Sequence, residues 1–368
     1  MGTVVLIGTL DTKEREYRFM RDCLRGMGVD VLVIDVGILR DPEMRPDITA
    51  AEVAAAAGVD LRDLRFSKEG SDTRAVALDT MRKGAAVILR RLLAEGRCQG
   101  VLGAGGSGGS TVIAGIIREL PLGLPKLLVT TMATSAAAFF GTRDLAVMHA
   151  VTDIAGLNRV SRLILRNAAG AVAGMVSAPP GEEDDKRPVV AITMFGVTTP
   201  GVLRLQERLG QAGFDTITFH AVGSGGRAME EMIEEDLIDG VVDYTTSELT
   251  DELLGGVFSA GPTRLTAAGR RGIPQVVVPG AIEVLNFGPR DSVPKEFDTL
   301  ERRLVVHNPY VCAVRTSKGE AVDLARIMSA RLNAAAGPTA VGVPLEVAIE
   351  ASDPDDPDAT LLTLTWDN

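Results

Sequence analysis

Short apolar runs alternate along this chain with amphipathic segments that have the helical period. The run TVVLIG at residues 3–8 predicts a buried strand, and a polar turn at 9–13 leads into a helix from about residue 14 to 27. The next apolar run, VDVLVIDVG at 29–37, predicts a second strand. Strands that alternate with helices of this length form parallel sheets with right-handed crossovers, so the pattern predicts an α/β fold.

The same opening recurs after the polar segment PPGEEDDKRP. The run PVVAITM at 188–194, a helix at about 200–212 and the run FDTITFHAVG repeat the order strand, helix, strand. We therefore predict two Rossmann-like three-layer domains with mainly parallel sheets, related as a divergent repeat. The predicted boundaries are 1–178 for the first domain, 179–188 for a linker, 189–340 for the second domain and 341–368 for a C-terminal tail.

The stretch VLGAGGSGGSTVIAGII at 101–117 carries the strongest functional signal. An apolar run ends in five glycines and two serines between Gly103 and Ser110, and a helical pattern follows at once. Glycines let backbone amides approach a ligand, and the positive end of the helix dipole favours an anion. The stretch predicts a site for phosphate or carboxylate, with a tight turn of small packing residues as the alternative. It is neither a Walker A loop nor a regular GxGxxG fingerprint.

Polar residues also follow two other strands of the first domain. In GTLDTKE, Asp11 is predicted to cap the helix or hold a cation, and Lys13 to neutralise phosphate. In TTMATSAA, the hydroxyls after the strand at 126–133 would face the glycine loop if the two strands are neighbours, or would cap a helix. These hydroxyls belong to Thr130, Thr131, Thr134 and Ser135.

The segment HAVTDIAGLNR places His149, Asp153 and Asn158 near the start of an apolar helix. Asp153 is predicted to bind a metal or act as a base, with a helix cap as the alternative. A single histidine such as His149 is more often structural.

A second glycine cluster, HAVGSGGRAMEEM, repeats the order strand, glycines, helix in the second domain. It predicts another anion site, on Gly223, Gly225, Gly226 and Arg227. The alternative is that Arg227 pairs with Glu230 or Glu231 on its own helix. Further along, TTSELTDELLGG places Glu248 after a strand, and a helix cap at Thr246 or Ser247 is the simplest explanation of that segment.

Composition excludes several classes of function. The chain has 368 residues, and its 46% hydrophobic but 4% aromatic content is typical of α/β proteins. The net charge of −11 argues against nucleic acid or an anionic membrane as the main partner. Cys23, Cys98 and Cys312 are widely spaced, and no apolar run approaches membrane-spanning length. We therefore expect a cytoplasmic protein without structural zinc.

Several strings occur together in a characteristic order: GTLDTKE, GAGGSGGS, HAVTDIAGLNR, MFGVTTPGV, FHAVGSGGRAM, TTSELTDEL and VHNPYV. Over about residues 3–340 the chain resembles the family of the N-terminal ATP-binding domain of the tomato mosaic virus resistance protein and its bacterial relatives. The resemblance implies two Rossmann-like subdomains, ATP as ligand, and self-association as a homodimer or higher homo-oligomer. By matched motif it implies nucleotide contacts at Gly105, Gly106, Ser107, Gly108, Gly109 and Ser110, and further contacts at Asp11, Lys13, Thr131 and Ser135.

We therefore expect an ATP-binding protein, with the phosphates on the first glycine loop in a crevice between the domains and Mg²⁺ alongside. The motifs assign no reaction. Two glycine loops favour an ATP-dependent phosphotransferase or ligase acting on a small acid, with Lys13 or Arg227 stabilising charge and Asp153 or Glu248 acting as base. The second hypothesis is a regulatory module, in which ATP stabilises a dimer and the dimer binds a protein partner. An NAD-dependent oxidoreductase, with Asp35 after the second strand, is the third.

Overall fold

The computed structural model describes residues 2–66, 71–135, 139, 141–178, 186–299 and 302–343. The chain divides into two compact units, Met1–Glu182 and Glu183–Asn368. Residues 179–185 of the predicted linker and residues 344–368 of the predicted tail lie outside the described residues. Within the described part of the chain, no helix is long and apolar enough to cross a membrane.

The first unit is built on a five-stranded parallel sheet with the strand order β2-β1-β3-β4-β5. Its strands are β1 (Thr3–Gly8), β2 (Asp30–Asp35), β3 (Gly100–Gly105), β4 (Lys126–Thr130) and β5 (Ala146–His149). Its helices are α1 (Leu10–Gly26), α2 (Ala50–Ala56), α3 (Leu61–Phe66), α4 (Ser71–Ala94), α5 (Ser107–Ile117) and α6 (Arg159–Ser177).

Helices cover both faces of this sheet. Val4 and Leu6 of β1 belong to the core with α1 and α6, whereas Val5 and Ile7 belong to the core with α2, α4 and α5. Successive side chains of a strand point to opposite faces, so an uninterrupted apolar run is what a strand buried on both sides requires. The unit therefore has three layers.

The strand order reverses between β1 and β3, which are neighbours in the sheet. Helices α1 and α5 start at the ends of these strands and pack on opposite faces, an arrangement that opens a crevice at the carboxyl ends of the strands. The Tyr17 hydroxyl joins the two strands below this point. It lies 2.7 Å from the Ile7 carbonyl oxygen and 2.9 Å from that of Ala104, and it accepts from the Ala104 amide at 2.8 Å. A Cβ on Gly8 would collide with this hydroxyl.

The second unit repeats the topology. Its parallel sheet has the order β13-β9-β8-β6-β7, which is the order 5-4-3-1-2 when its own strands are counted along the chain. The strands are β6 (Val189–Met194), β7 (Asp215–His220), β8 (Gly240–Thr245), β9 (Gln275–Gly280) and β13 (Thr339–Val341). The helices are α7 (Thr199–Gln211), α8 (Ser224–Glu234), α9 (Ser247–Leu254), α10 (Ala267–Arg271) and α11 (Lys318–Asn333).

The predicted fold, two Rossmann-like three-layer domains with mainly parallel sheets, is confirmed. The prediction omitted a small antiparallel sheet with the order β10-β12-β11, inserted between β9 and β13. Its strands are β10 (Val284–Phe287), β11 (Leu304–Asn308) and β12 (Val311–Arg315). In addition, Val341, where the tail was predicted to begin, is the last residue of β13.

Candidate functional site

A cleft of about 520 Å³ lies at the carboxyl edge of the first sheet, where the loops after β3, β4 and β5 meet. Its lining residues are Gly106, Ser107, Thr131, Met132, His149, Val151, Thr152 and Asp153. Three motifs that are separate in the sequence, the glycine loop, the threonine segment and the segment around Asp153, therefore contribute to one cleft. Neighbouring parallel strands bring their carboxyl ends to the same edge, which is why these segments meet.

The glycines of the loop fall into two groups, and the first is explained by packing. A Cβ on Gly103 would lie 2.5 Å from Cγ2 of Ile113, and a Cβ on Gly105 would lie 2.8 Å from the Ser110 amide nitrogen. Both strand positions must be glycine because α5 packs directly over them. The packing alternative is therefore correct for these two residues.

The second group is Gly106, Gly108 and Gly109, for which packing supplies no reason. A Cβ on any of them would lie no closer than 3.8 Å to another atom, and none has a positive φ. Glycine is acceptable at the N-cap, which Gly106 occupies, but inside a helix it is about 1 kcal/mol less favourable than alanine. Gly108 and Gly109 stand in the first turn of α5, so they weaken the helix while keeping its start uncovered.

The start of α5 offers unpaired amides to the cleft. Among the described residues, none accepts a hydrogen bond from the amides of Ser107, Gly108 or Gly109. Ser110, by contrast, is not among the residues that line the cleft. It is fully buried, its amide donates to the Gly106 carbonyl at 2.8 Å, and its hydroxyl bonds the Gly105 carbonyl and the Thr130 hydroxyl.

An arginine that the sequence analysis missed lies beside the loop. Nη2 of Arg74, on α4, is 3.9 Å from the position that a Cβ on Gly108 would take. Lys13 is half-buried, and its side chain makes no ion pair with any residue that the structure describes. It does not line the cleft, although the turn after β1 comes close: Thr9 Oγ1 is 3.8 Å from the Cβ position of Gly109.

Asp11 does not cap α1, which was one of its two predicted roles. The side chain is 4% exposed, and Oδ2 accepts hydrogen bonds from the amides of Ile38 and Leu39 at 3.0 and 2.9 Å. Its other oxygen, Oδ1, has no partner among the described residues. Asp11 therefore anchors the loop after β2, and it is not among the residues that line the cleft.

Asp35 also points into the protein. Its Oδ1 accepts from the amides of Leu10 and Gly37 at 3.0 and 2.8 Å. Burial raises the pKa of Asp35 to about 6, and the nearby Asp11 carboxylate adds to the rise. An acid that binds a nicotinamide cofactor must reach a ribose hydroxyl, so this inward orientation speaks against the NAD hypothesis.

The loop after β5 carries three unusual features in sequence. Val151 has a φ of 61° although its side chain is 66% exposed, and the Thr152 amide closes a tight turn on the Ala150 carbonyl at 2.6 Å. The Thr152 hydroxyl is buried, and no described residue forms a hydrogen bond with it. Asp153 is exposed, and it does not cap α6, because Asn158 does so by accepting from the amides of Val160 and Ser161.

Two further predicted residues stand near this loop. His149 is exposed at the end of β5 and lines the cleft, so it is not a buried structural histidine. The Thr131 hydroxyl lies 3.9 Å from the Cβ position of Gly106. Ser135 ends a short 3₁₀ turn at Ala133–Ser135, and its side chain lies outside the described part of the structure.

In the second unit, an internal carboxylate occupies the glycine cluster. Glu248 is fully buried, and its Oε1 accepts from the amides of Gly223 and Gly226 at 2.6 and 3.0 Å. Its Oε2 accepts from Nε of Arg264 at 2.7 Å. The glycine cluster where an anion site was predicted therefore already holds a carboxylate of the protein itself, and both oxygens of Glu248 accept hydrogen bonds.

Arg264 is the centre of this buried polar cluster. Its guanidinium also bonds both oxygens of Asp243, at 2.5 and 2.7 Å, and lies 3.5 Å from Glu230. Arg227 takes no part in it, and donates instead to the Ser259 carbonyl at 3.0 Å. Burying one arginine among three carboxylates is tolerable only with such complete pairing, so the cluster is a structural unit.

No group of three or more histidine, cysteine, aspartate or glutamate side chains in the described residues is placed to hold a metal ion. The described lining of the cleft in the first unit has one carboxylate, that of Asp153, and the hydroxyls of Ser107, Thr131 and Thr152. A hard cation bound there needs oxygens from a ligand as well, which is how magnesium is commonly held beside phosphates.

Comparison with known proteins identifies both units. The profile described as Uncharacterised protein family (UPF0261) N-terminal domain matches residues 2–180, and the profile of its C-terminal domain matches residues 187–360. A UPF0261 protein of Clostridium tetani is 42% identical over 93% of this chain and 84% of its own length. One of Rhizobium meliloti is 39% identical over 94% and 84%.

The plant relatives are longer. The ToMV susceptible protein tm-1(GCR26) of Solanum lycopersicum is 35% identical over 97% of this chain, which spans half of the plant protein. Among solved structures, MurG of Acinetobacter baumannii is similar at 10% identity, with a TM-score of 0.25 over 92% of this chain and 86% of that one. A TM-score this low carries no argument about function.

Proposed function

The chain belongs to the uncharacterised protein family UPF0261, and we propose that its first unit binds ATP with the phosphates on the turn at residues 106–109. One observation carries the proposal: Gly108 and Gly109 weaken the helix that contains them, and neither the backbone angles nor packing requires them. Because they carry no side chain, they leave the start of α5 uncovered next to the cleft that Gly106 and Ser107 line. A helix start of this kind favours a negatively charged ligand.

Charge and size support the same ligand class. The Arg74 guanidinium lies beside Gly108, where it would neutralise a phosphate. The cleft volume of about 520 Å³ is within the usual range for sites that take small molecules. The family resemblance favours ATP among the phosphate compounds. The oxygen donors of Asp153 and Thr131 suit the magnesium ion that accompanies ATP.

The second unit bears on which reaction to expect. The phosphotransferase or ligase hypothesis relied on a second anion loop, at Gly223 to Arg227. Glu248 already fills the start of that helix, which removes this support for a two-substrate enzyme. We therefore limit the proposal to one nucleotide site, and a turnover assay with purified protein separates an ATPase from a regulatory module that only binds.

The test compares two glycines that lie in helices with free space around them. Gly108→Val fills the start of α5, whereas Gly174→Val changes an exposed position of α6 where a Cβ meets nothing within 4 Å. We expect ATP to raise the melting temperature of the wild type and of Gly174→Val, and to leave that of Gly108→Val unchanged. Saturation at 100 times Kd corresponds to about 2.7 kcal/mol of added stability, which a thermal melt readily detects.

The outcome that contradicts the proposal is equally direct. If Gly108→Val keeps the full ATP-dependent rise in melting temperature, the phosphates do not lie on this turn. Melting of each variant without nucleotide serves as the control, because both substitutions should leave the fold intact.

A further inference from the structure

We infer that a basic face of the first unit binds the acidic C-terminal segment of this chain, residues 344–368. The face lies along α1 and α6, and we call it the α1/α6 face. Its residues are Arg15, Arg159, Arg162, Leu163 and Arg166. Nucleotide binding plays no part in this contact.

Helix α6 carries three arginines and no acidic residue. Arg159, Arg162 and Arg166 are exposed, and their spacing of three and four residues places them on one side of the helix. None of them forms an ion pair with a residue that the structure describes. Arg159 is the first residue of α6, where the positive end of the helix dipole disfavours a cation. These charges therefore do not serve to stabilise the helix itself.

Helix α1 adds positive charge because its acidic side chains are already engaged. Asp11 and Glu16 are buried and the Glu14 side chain is 11% exposed, and all three accept hydrogen bonds from the amides of neighbouring loops. The fourth acid, Asp22, pairs at 2.9 Å with the arginine that precedes it. Arg15 is exposed and forms no ion pair within the described part of the chain. The α1/α6 face is therefore basic, although the whole chain has a net charge of −11.

Apolar surface lies among these arginines. Leu163 is 47% exposed and Val160 is 39% exposed. The guanidinium carbon of Arg162 lies 5.4 Å from the ring centroid of Phe19, so the seam between the two helices belongs to the face. Arg15 precedes Phe19 by one helical turn on the same side of α1. Positive charge beside exposed apolar side chains suits a polypeptide that is both acidic and partly apolar.

The segment at residues 344–368 has that composition. It contains seven aspartates and glutamates, no lysine, arginine or histidine, and the apolar run LLTLTW at 361–366. Fully extended, a segment of this length spans roughly 80 Å, whereas α6 with its 19 residues is about 28 Å long, so the segment can cover the face. Nucleic acid and anionic lipid would also match the charge of the face, but a chain with a net charge of −11 repels them.

The test uses the single tryptophan of the chain, Trp366, which lies in this segment. Its fluorescence in the full-length protein therefore reports on the segment alone. For the wild type, we expect emission at shorter wavelength and much weaker quenching by acrylamide than for the same protein unfolded in urea. The reason is that the indole ring would pack against the apolar side chains of the face.

Two matched variants reverse the same amount of charge at different places. Arg159→Glu/Arg166→Glu alters the α1/α6 face, and a glutamate at the start of α6 agrees with the helix dipole, so the far-UV circular dichroism should stay that of the wild type. Acrylamide quenching of Trp366 should rise to the value of the urea-unfolded chain. Arg204→Glu/Arg208→Glu changes two exposed arginines of α7 that form no ion pair with described residues, and it should leave the quenching unchanged.

A charge swap tests the pairing directly. Adding Asp355→Arg/Asp356→Arg to Arg159→Glu/Arg166→Glu should again protect Trp366 from acrylamide, because opposite charges then face each other once more. The proposal is overturned if the two double arginine variants expose Trp366 equally or if the swap leaves it exposed. It is also overturned if Trp366 of the folded wild type is quenched as in urea, since the face would then take an acidic partner other than this segment.

Discussion

The turn after the third strand of each sheet offers a direct comparison between the two units. Both third strands begin with Gly-Val, at residues 100–101 and 240–241, and both are followed at once by a helix. The N-caps are Gly106 after β3 and Thr246 after β8. Two positions beyond the cap, the first unit has Gly108 and the second has Glu248.

That single position changes what the turn does. In the first unit, the space beside Gly108 is open, and Gly106 and Ser107 of the same turn line a cleft. In the second, the Glu248 side chain reaches the start of the neighbouring helix α8 and is paired with Arg264. In the second unit, a carboxylate from the turn after the third strand therefore reaches the amides at the start of the helix after the second strand, and the first unit has no side chain at Gly108 that could do the same.

Among the predictions, removal of the Glu248 side chain should change protein stability most. Glu248→Ala takes away one of the carboxylates that neutralise Arg264 and leaves the amides of Gly223 and Gly226 without an acceptor. We expect a loss of about 3–5 kcal/mol in the free energy of unfolding, because breaking a buried ion pair strands the remaining partner. Urea denaturation followed by far-UV circular dichroism measures it.

The reciprocal change places the same side chain in the first unit. Gly108→Glu should alter the free energy of unfolding by less than about 1 kcal/mol, because that position has free space. It should nevertheless prevent ATP from stabilising the protein.

A loss below about 1 kcal/mol in the free energy of unfolding for Glu248→Ala would show that the buried cluster around Arg264 is not the structural unit that we describe.

Part of this comparison could be predicted from the sequence. The strands, the helices and the position of the glycine loop follow from apolar periodicity and from the local conformational demands of glycine. These are short-range properties, which is why the turn at residues 105–110 was identified. Even there, the sequence could not separate packing glycines such as Gly105 from unexplained ones such as Gly108, because that distinction depends on which atoms surround each Cβ position.

Long-range side-chain contacts could not be predicted. Arg74 reaches the glycine loop from more than thirty residues upstream, and Arg264 gathers carboxylates from three separate elements. Neither arginine belongs to a motif. The same is true of Asp11, whose acceptor role depends on the path of the loop after β2.

A third prediction compares the buried carboxyl groups of the two units. Burial raises the pKa of Asp35 and of Asp251 to about 6 in each case. A folded-state pKa above the usual 3.8 means that the folded protein binds more protons between pH 4 and 6, so these groups make stability fall as pH rises through that window. Asp35→Asn should abolish the part of this pH dependence that Asp35 causes. At pH 7 it should raise the free energy of unfolding by about 2–3 kcal/mol, because the amide oxygen can still accept hydrogen bonds from the Leu10 and Gly37 amides.

Asp251→Asn should not give the same gain. Both oxygens of Asp251 accept hydrogen bonds, and the Nδ2 group of Asn286 donates to Oδ2 at 2.9 Å. An amide at position 251 would turn an NH₂ group toward that donor or give up the bond from Phe258. Urea denaturation at pH 4.5 and pH 7 tests both variants, and equal stabilisation by the two would contradict the assigned contacts.

The last prediction compares Gly105, the final residue of β3, with Gly106, the N-cap of α5. Gly105→Ala forces a Cβ to within 2.8 Å of the Ser110 amide nitrogen, which is backbone and cannot move aside without shifting α5. We expect a loss of about 1–2 kcal/mol, as for other overpacked positions. Gly106→Ala meets nothing closer than 3.9 Å, so it should change stability by less than about 1 kcal/mol.

The two variants therefore separate two reasons for glycine at adjacent positions, which are packing at Gly105 and space for a ligand at Gly106. Gly105→Ala should lower the melting temperature yet keep ATP-dependent stabilisation, if α5 retains its place. Gly106→Ala should melt like the wild type, and any loss it causes should appear only in the response to ATP, because its methyl group would project into the cleft. If both variants lower the melting temperature equally, packing requires glycine at both positions, and these glycines give no support to a phosphate site.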